Sequence, residues 1–408
     1  MYFECIRCSQ RYEWTWPIYR CGCGGNLWLE LDFDAPAAGW LWPRCVEVAR
    51  SGIFAFGDLL MPGLEGSPFR QVVGPSPLLE MGDVAREMGL GGVWFKDDTR
   101  LPSCSFKDRG SSLVIAATGR GMPITTASTG NAGCSLACLS ADAGLDATVF
   151  VPWGAPVAKV QQLQMYGARV VRVKGSYDDA FDLSFAVSRE MGWVNRSTGW
   201  NPLTREGKKS CSLEIVWQME MAVPDIVFVS TGDGNILSGI YKGFYDLAKA
   251  GLTTKLPRVV AVQSSGSRAI ADAFERYQGG QSLEESVVGV TASTLADSIS
   301  VGYPRDADGA LRALSESDGW VEVVSDTEIL ESIRVLAGRW GLFVEPAAAA
   351  AHAGLVGARR RGAIGGGEKV VVLLSGNGLK DPGAAVAGLA PTLEVEADVE
   401  AALALFTS

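Results

Sequence analysis

The chain all but lacks histidine. One occurs among its 408 residues, His352, within "PAAAAAHAGL". A multi-histidine metal centre is therefore excluded. A Ser–His–Asp triad is disfavoured, because that one histidine lies in an Ala-rich helical stretch where packing is its expected role. Proton transfer then falls to Lys, Asp or Glu. Long apolar runs are missing too: none reaches the ~18 residues of a membrane span, and no leader pattern opens the chain. No basic stripe interrupts a net charge of −10, which argues against nucleic acid as a partner. The expected protein is cytoplasmic and binds neither membrane nor nucleic acid. Apolar residues make up 47% and charged residues 20%, a balance that supports packed cores and excludes disorder.

Cysteine is present in two distributions. Cys45, Cys104, Cys134, Cys138 and Cys211 are scattered, whereas Cys5, Cys8, Cys21 and Cys23 crowd the start of the chain. "CIRC" and "CGCGG" are flanked by strand-like "MYFE" and "NLWLELDF". Four thiolates from two tight turns suit a structural zinc ion, Zn(2+), with no open position for chemistry. The tight C-x-C half leaves a metal-free ribbon as the alternative.

Most of the rest alternates between short apolar strands and amphipathic helices. Strands are expected at 92–96, 123–128, 147–152, 168–173, 225–230, 258–263 and 369–375. Several are apolar almost throughout, as in parallel strands buried on both faces. Helical spacing follows in "AFDLSFAVSREM" and "DTEILESIRVLAGRWG". The fold class is α/β, with two open, mostly parallel sheets and an N-terminal cysteine-rich ribbon. The expected division is a ribbon at 1–34, a large domain from 35–120 plus 200–392, a small inserted domain at 121–199, and a tail at 393–408.

Ligands in such folds bind beyond the carboxyl ends of strands. Three loops there stand out: "ASTGNAG" (127–133), "STGDGNILSG" (230–239) and "SGNGLKD" (375–381). Glycine allows close backbone approach, and a helix start favours an anion. "TGDGN" can be a phosphate cradle or merely a tight turn. It matches neither the P-loop nor the dinucleotide fingerprint. A lysine in "SFKDRG" (105–110) follows the first strand of the series. Asp108 and Arg109 beside it are expected to form a local ion pair, Cys104 to fill the core, and Glu345-Pro346 to begin a helix.

The order of these pieces resembles the fold type II pyridoxal-phosphate enzymes, the tryptophan synthase β superfamily, and within it the threonine synthase family. The resemblance runs from the cysteine ribbon to "SGNGLKD" and includes "TLADSI" and "EPAAAA". It implies pyridoxal 5'-phosphate as cofactor and a homodimer. Lys107 would hold the cofactor as a Schiff base and shuttle protons, with Phe106 beside it. Asn131 would meet the ring hydroxyl. Ser128, Thr129, Gly130 and Asn131 would receive the substrate α-carboxylate. Gly232, Asp233, Gly234, Asn235 and Ile236 would cradle the phosphate. Ser375 would face the ring nitrogen, whose neutrality favours elimination and replacement.

The family converts O-phosphohomoserine and water to threonine and phosphate, and helps hold the substrate phosphate with an Asn–Ser pair and an Arg around an Asn-Pro step. Aligned on Asn201-Pro202, "NRSTGWNPLTREGKKS" (195–210) carries Thr198-Gly199 and Thr204 at those places. Arg205 follows one residue late, a turn of ~100° on a helix, and Lys208 stands where Gln is common. Asn377 replaces a frequent His. Thr204, Arg205 and Lys208 are the substrate-binding candidates here, for a small and phosphorylated amino acid. A paralogue acting on another amino acid, as cysteate synthase or a serine/threonine ammonia-lyase does, stays open. So does a catalytically dead regulatory homologue.

Overall fold

The computed structural model of the chain describes residues 1–33, 42–64, 66–119, 121–386 and 389–406. The end of the expected ribbon and the start of its connector, at 34–41, lie outside the described residues, as does residue 120 at the edge of the expected small domain. The ribbon is an antiparallel sheet of β1 (Tyr2–Cys5), β2 (Arg11–Glu13) and β3 (Leu27–Glu30), in the order β2-β1-β3.

The chain then begins a large sheet with β4 (Leu78–Glu80) and β5 (Gly92–Asp97). It leaves to build a second sheet from β6 (Ile124–Ala127), β7 (Ala147–Pro152), β8 (Arg169–Val173) and β9 (Val194–Asn195). These four run parallel in the order β8-β7-β6-β9. It returns with β10 (Ile226–Ser230), β11 (Arg258–Ser264), β12 (Trp320–Val324) and β13 (Lys369–Leu374). The large sheet reads β12-β11-β10-β13-β5-β4, parallel except for the edge strand β4.

All seven strands expected from the sequence are present. Period-2 alternation divides the large sheet between two cores. Val227, Val229, Val259, Val371 and Leu373 face the helices Leu203–Gln218 and Asn235–Lys249. Ile226, Phe228, Val260, Val370 and Val372 face the Ala-rich helix Pro346–Arg360. Alanine there lets the helix lie close to the sheet. His352 is buried in that layer, its ring edge-on to Phe95 and its Nδ1 3.1 Å from Ser332 Oγ. Burial pushes it down to about 4, so it is neutral at physiological pH.

Candidate active site

The carboxyl end of β5 sets the position of Lys107. Asp97 caps the turn that follows, accepting from Thr99 N at 3.1 Å. Residues 104–106 are then tied to the loop after β13. Asn377 N donates to Cys104 O (3.1 Å), Phe106 N to Ser375 O (2.8 Å), and Ser105 bridges Gly376. Two segments some 270 residues apart thereby bring Lys107 beside Ser375. Cys104 is exposed with φ +61°, which corrects its expected core-filling role. Glycine would suit that left-handed position better.

The expected Asp108–Arg109 ion pair is also corrected. Successive helical residues point about 100° apart, and these two point into different networks. Asp108 accepts from Ser103 N (2.7 Å) and Ser103 Oγ (2.5 Å), folding the loop back on the helix Lys107–Thr118. Arg109 is fully buried between Asp98 (2.6 Å) and Glu214 (2.7 Å).

Lys107 is enclosed but keeps an accessible edge on a small cavity that Asn131, Ser230, Ile236, Glu345 and Ser375 also line. Among the described residues its Nζ has no hydrogen-bond or ion-pair partner; only its carbonyl is used, by Arg196 Nη2 at 3.5 Å. Burial pushes the amine below the ordinary lysine value. Asp233 and Glu345 act against that shift, and Arg196 adds to it. Asn131, at the start of the helix Asn131–Ala143, donates to Glu345 Oε1 (2.6 Å) and Ser298 Oγ (3.3 Å). Ser128 Oγ accepts from Gly130 N (3.2 Å), and Thr129 and Gly130 line an adjoining opening with Lys159 and Lys380.

The 232–236 loop closes the other end. Gly234 has φ +93°, and a Cβ there would stand 2.6 Å from Asp306 O. Only glycine fits both restrictions. The first-turn N–H groups of the helix Asn235–Lys249 have no acceptor within that helix. Behind them lies Lys208, fully buried, its Nζ donating to Asn235 Oδ1, which also accepts from Thr204 Oγ1 at 3.1 Å. Burial holds Lys208 well below the ordinary value, with Lys107 and Arg196 nearby. Ser230 Oγ, on the cavity wall, is buried with no partner among the described residues. Asn235 N donates to Asp233 Oδ1 at 3.0 Å, and the helix start, a buried amine and an unmatched hydroxyl together suit a phosphorylated, hydrogen-bonding ring of the size of pyridoxal phosphate.

Arg205 does not join this set. Its guanidinium binds Leu27 O, Asp306 and Ser238 (3.1 Å) and stacks on Trp28. Two charged residues close to Lys107 escaped the sequence reading. Glu345 looked like a plain helix start, but its carboxyl is buried between Asn131 and Lys107. Burial pushes it up to about 7, with Lys380, Asn131 and Lys107 acting against that shift. Arg196 sits in the segment that departs from the family pattern, and only proximity in space marks it.

The ribbon cysteines converge as well. Cys5–Cys23, Cys8–Cys21 and Cys8–Cys23 sulfur distances are each 3.5 Å, and all four atoms lie within 4.8 Å of one another. A zinc tetrahedron with Zn–S of about 2.3 Å needs sulfurs roughly 3.8 Å apart, so this donor set fits. Among the described residues, no helix is long and apolar enough to cross a membrane.

Comparison with known proteins places the chain in a family. The profile of the pyridoxal-phosphate dependent enzyme family matches residues 69–376. The chain is 32% identical over 399 residues to threonine synthase of Methanocaldococcus jannaschii, covering 97% of each chain. It is 33% identical over 405 residues to threonine synthase of Methanosarcina acetivorans, covering 98% of this chain and 97% of that one. Among solved structures, a processed threonine deaminase of Solanum lycopersicum superposes with TM-score 0.64 at 20% identity, covering 81% of this chain and 82% of that one. Maize serine racemase gives 0.63 at 22% identity, covering 75% and 89%. With sequence relatives spanning nearly its whole length and a fold shared with these enzymes, the chain belongs to the pyridoxal-phosphate-dependent enzyme family, among the relatives of threonine synthase.

Proposed function

We propose that the chain is a pyridoxal-phosphate-dependent carbon–oxygen lyase of threonine synthase type, converting O-phosphohomoserine and water to threonine and phosphate. The observation that carries this reading is Lys107: an enclosed amine without a partner among the described residues, on a cavity that Ile236 and Ser375 also line. Bound there, pyridoxal phosphate supplies an electron sink for chemistry at the substrate carbons. Lys107 anchors it covalently and, with an amine made less basic by burial, takes up and returns protons at Nζ. Asn131 and Ser375 orient the ring, Phe106 supports the anchor, and the 232–236 loop with Lys208 holds the phosphate. Ser128, Thr129 and Gly130 receive the α-carboxylate. Ser375 would offer a hydroxyl where a carboxylate would stabilise a protonated ring nitrogen, which suits elimination and replacement.

A second reading is replacement or elimination on a different amino acid. It is favoured by Arg205, which is fully engaged with Asp306 and Leu27 O, and by Thr204, which is turned to Asn235. Incubating the holoenzyme with O-phosphohomoserine, O-phosphoserine, serine and threonine, and following phosphate, ammonia and threonine, separates the two. Phosphate and threonine from O-phosphohomoserine are expected; ammonia alone would replace the first reading by the second. Lys107→Ala should lower turnover by about 10³-fold or more and remove the visible band of lysine-bound cofactor. Full turnover in that variant would refute the anchor role. The reading also includes a cytoplasmic homodimer, checked by a solution mass of twice one chain.

A further inference from the structure

Glu345 is a buried carboxyl without a counter-ion. Among the described residues it makes no ion pair, and its side chain bonds only Asn131 Nδ2, through Oε1 at 2.6 Å. Two cations near it are committed elsewhere. Lys380 Nζ donates to Ser103 O (2.8 Å), and Lys159 pairs with Asp297 (2.7 Å). The fold makes room for the carboxyl. Glu345 N donates to Gly376 O (3.0 Å), and a Cβ on Gly376 would collide with the carboxyl. The glycine after Ser375 thus admits Glu345 to the wall of the cavity, which Lys107, Asn131 and Ser298 also line.

The Asn131 amide has one end committed. Its Nδ2 carries two hydrogens: one goes to Glu345 Oε1 and the other to Ser298 Oγ (3.3 Å). Its Oδ1 has no partner among the described residues. An ionised carboxylate can only accept, so it holds the amide this way round. A neutral carboxyl has an O–H to donate and can bond Oδ1 instead, which releases Nδ2. The charged groups facing Glu345 are Lys107 at the start of its helix and Lys380 and Asp381 after β13. Lys159, Asp297 and the Cys134 thiol lie along the adjoining opening. Burial pushes the Glu345 carboxyl up to about 7, with Lys380, Asn131 and Lys107 acting against that shift, so both forms are populated near neutrality.

We infer that Glu345 is a positioning residue that sets which end of the Asn131 amide meets the ring oxygen of the cofactor. This rests on the proposed function, which sets Asn131 against that oxygen. With Glu345 ionised, Asn131 presents Oδ1, an acceptor, and the proton shared between the ring oxygen and Lys107 Nζ lies on the oxygen. With Glu345 neutral, the amide turns over, Nδ2 donates to the ring oxygen, and that proton lies on Nζ. Raising the pH therefore moves a proton onto the ring oxygen, opposite in sign to direct titration of that oxygen.

The test is the absorption spectrum of substrate-free holoenzyme across the neutral pH range, in wild-type, Glu345→Gln and Ser298→Ala forms. The long-wavelength band of the lysine-bound cofactor reports the proton on Nζ, and the short-wavelength band the proton on the ring oxygen. In wild type the ratio of short to long should rise with pH by about fivefold, the worth of one neutral hydrogen bond. Glu345→Gln has no carboxyl to ionise and should hold one ratio throughout. Ser298→Ala removes an acceptor that supports the ionised form, so the midpoint should move up by about half a pH unit or more. A wild-type ratio that falls with pH, or ignores it, overturns the inference. A titration in Glu345→Gln like that of wild type does the same. If Glu345→Gln fails to fold, Ser298→Ala decides: an unmoved midpoint overturns the inference. Threonine formed from O-phosphohomoserine beside a ratio that ignores pH would sink the inference alone. A ratio that rises through Glu345, with no product from O-phosphohomoserine, would sink the proposed reaction alone. Absence of both bands would sink the Lys107 anchor and this inference together.

Discussion

Glu345 shows how a single side chain can invert its expected role. A glutamate before proline reads as a helix start, yet its carboxyl lies buried beside Lys107 and Asn131. Its folded value of about 7 lies above the ordinary 4.5. A raised value contributes stability that is fully present below the ordinary value and is lost as pH rises through about 7. Thermal unfolding of the wild type should therefore shift downwards from pH 4.5 to 8 through this residue. Glu345→Gln, which mimics the protonated form, should flatten that part of the curve and gain on the wild type at pH 8. Parallel curves would rule the assignment out. The loops that carry Asn131, Ser375 and residues 232–236 stood out in the sequence because small or glycine-rich loops follow apolar strands there, and the roles expected of these residues and of Lys107 came from the family resemblance. Glu345 and Arg196 did not stand out, since burial comes from elements distant in sequence.

At the scale of elements, a buried charge network supports the helix that begins at Lys107. Lys96 on β5 binds Glu214 at 2.6 Å, and Arg109 joins Glu214 to Asp98. Ser76 Oγ donates to Asp98 at 2.5 Å, and Gln218 Oε1 accepts from Lys96 at 2.8 Å. Burial alone would raise Glu214, but Arg109 and Lys96 hold it at about 2. That stabilisation is present above the ordinary carboxylate range and is lost only as pH falls through about 2. Glu214→Gln leaves two buried cations short of one charge. It should cost about 3–5 kcal/mol in urea unfolding at pH 7; a loss under about 1 kcal/mol would mean that the network relaxes freely. The strands of the two sheets illustrate which elements local pattern can reveal. Apolar runs marked seven strands, six of them inside a sheet and one, β8, at an edge. β4 has three residues, β9 has two, and β12 is interrupted by Glu322, so pairing with neighbours decides them.

Across the whole molecule, the ribbon and the phosphate loop are joined by a short chain of contacts. Arg7, between Cys5 and Cys8, donates to Asp308 at 2.8 and 3.0 Å. Asn26 N donates to the same carboxylate (3.0 Å), and Asn26 Nδ2 reaches Gly199 O (2.9 Å) and Arg305 O (3.1 Å). Two residues before Asp308, Asp306 N donates to Asp233 O (2.9 Å), while its carboxylate accepts from Asn235 (2.7 Å) and Ser238 (2.6 Å). A metal that orders the ribbon should therefore steady the phosphate loop. Elemental analysis should find one zinc per chain. Removing it with a chelator should weaken cofactor affinity about tenfold, equivalent to about 1.4 kcal/mol. Unchanged affinity in a metal-free, folded protein would break that link.

Composition and local pattern were enough for the α/β class, the cysteine ribbon and the lysine at the end of a strand. These follow from periodicity and from the few residues that tolerate tight turns, both of which are local. The tertiary structure alone decided which charges are matched. It gave Arg205 to Asp306 and Arg109 to Glu214, and left Arg196 and Lys107 without an ion-pair partner among the described residues. Pairing inside a protein depends on which distant segments meet, and the cost of an unmatched buried charge shows where a ligand belongs.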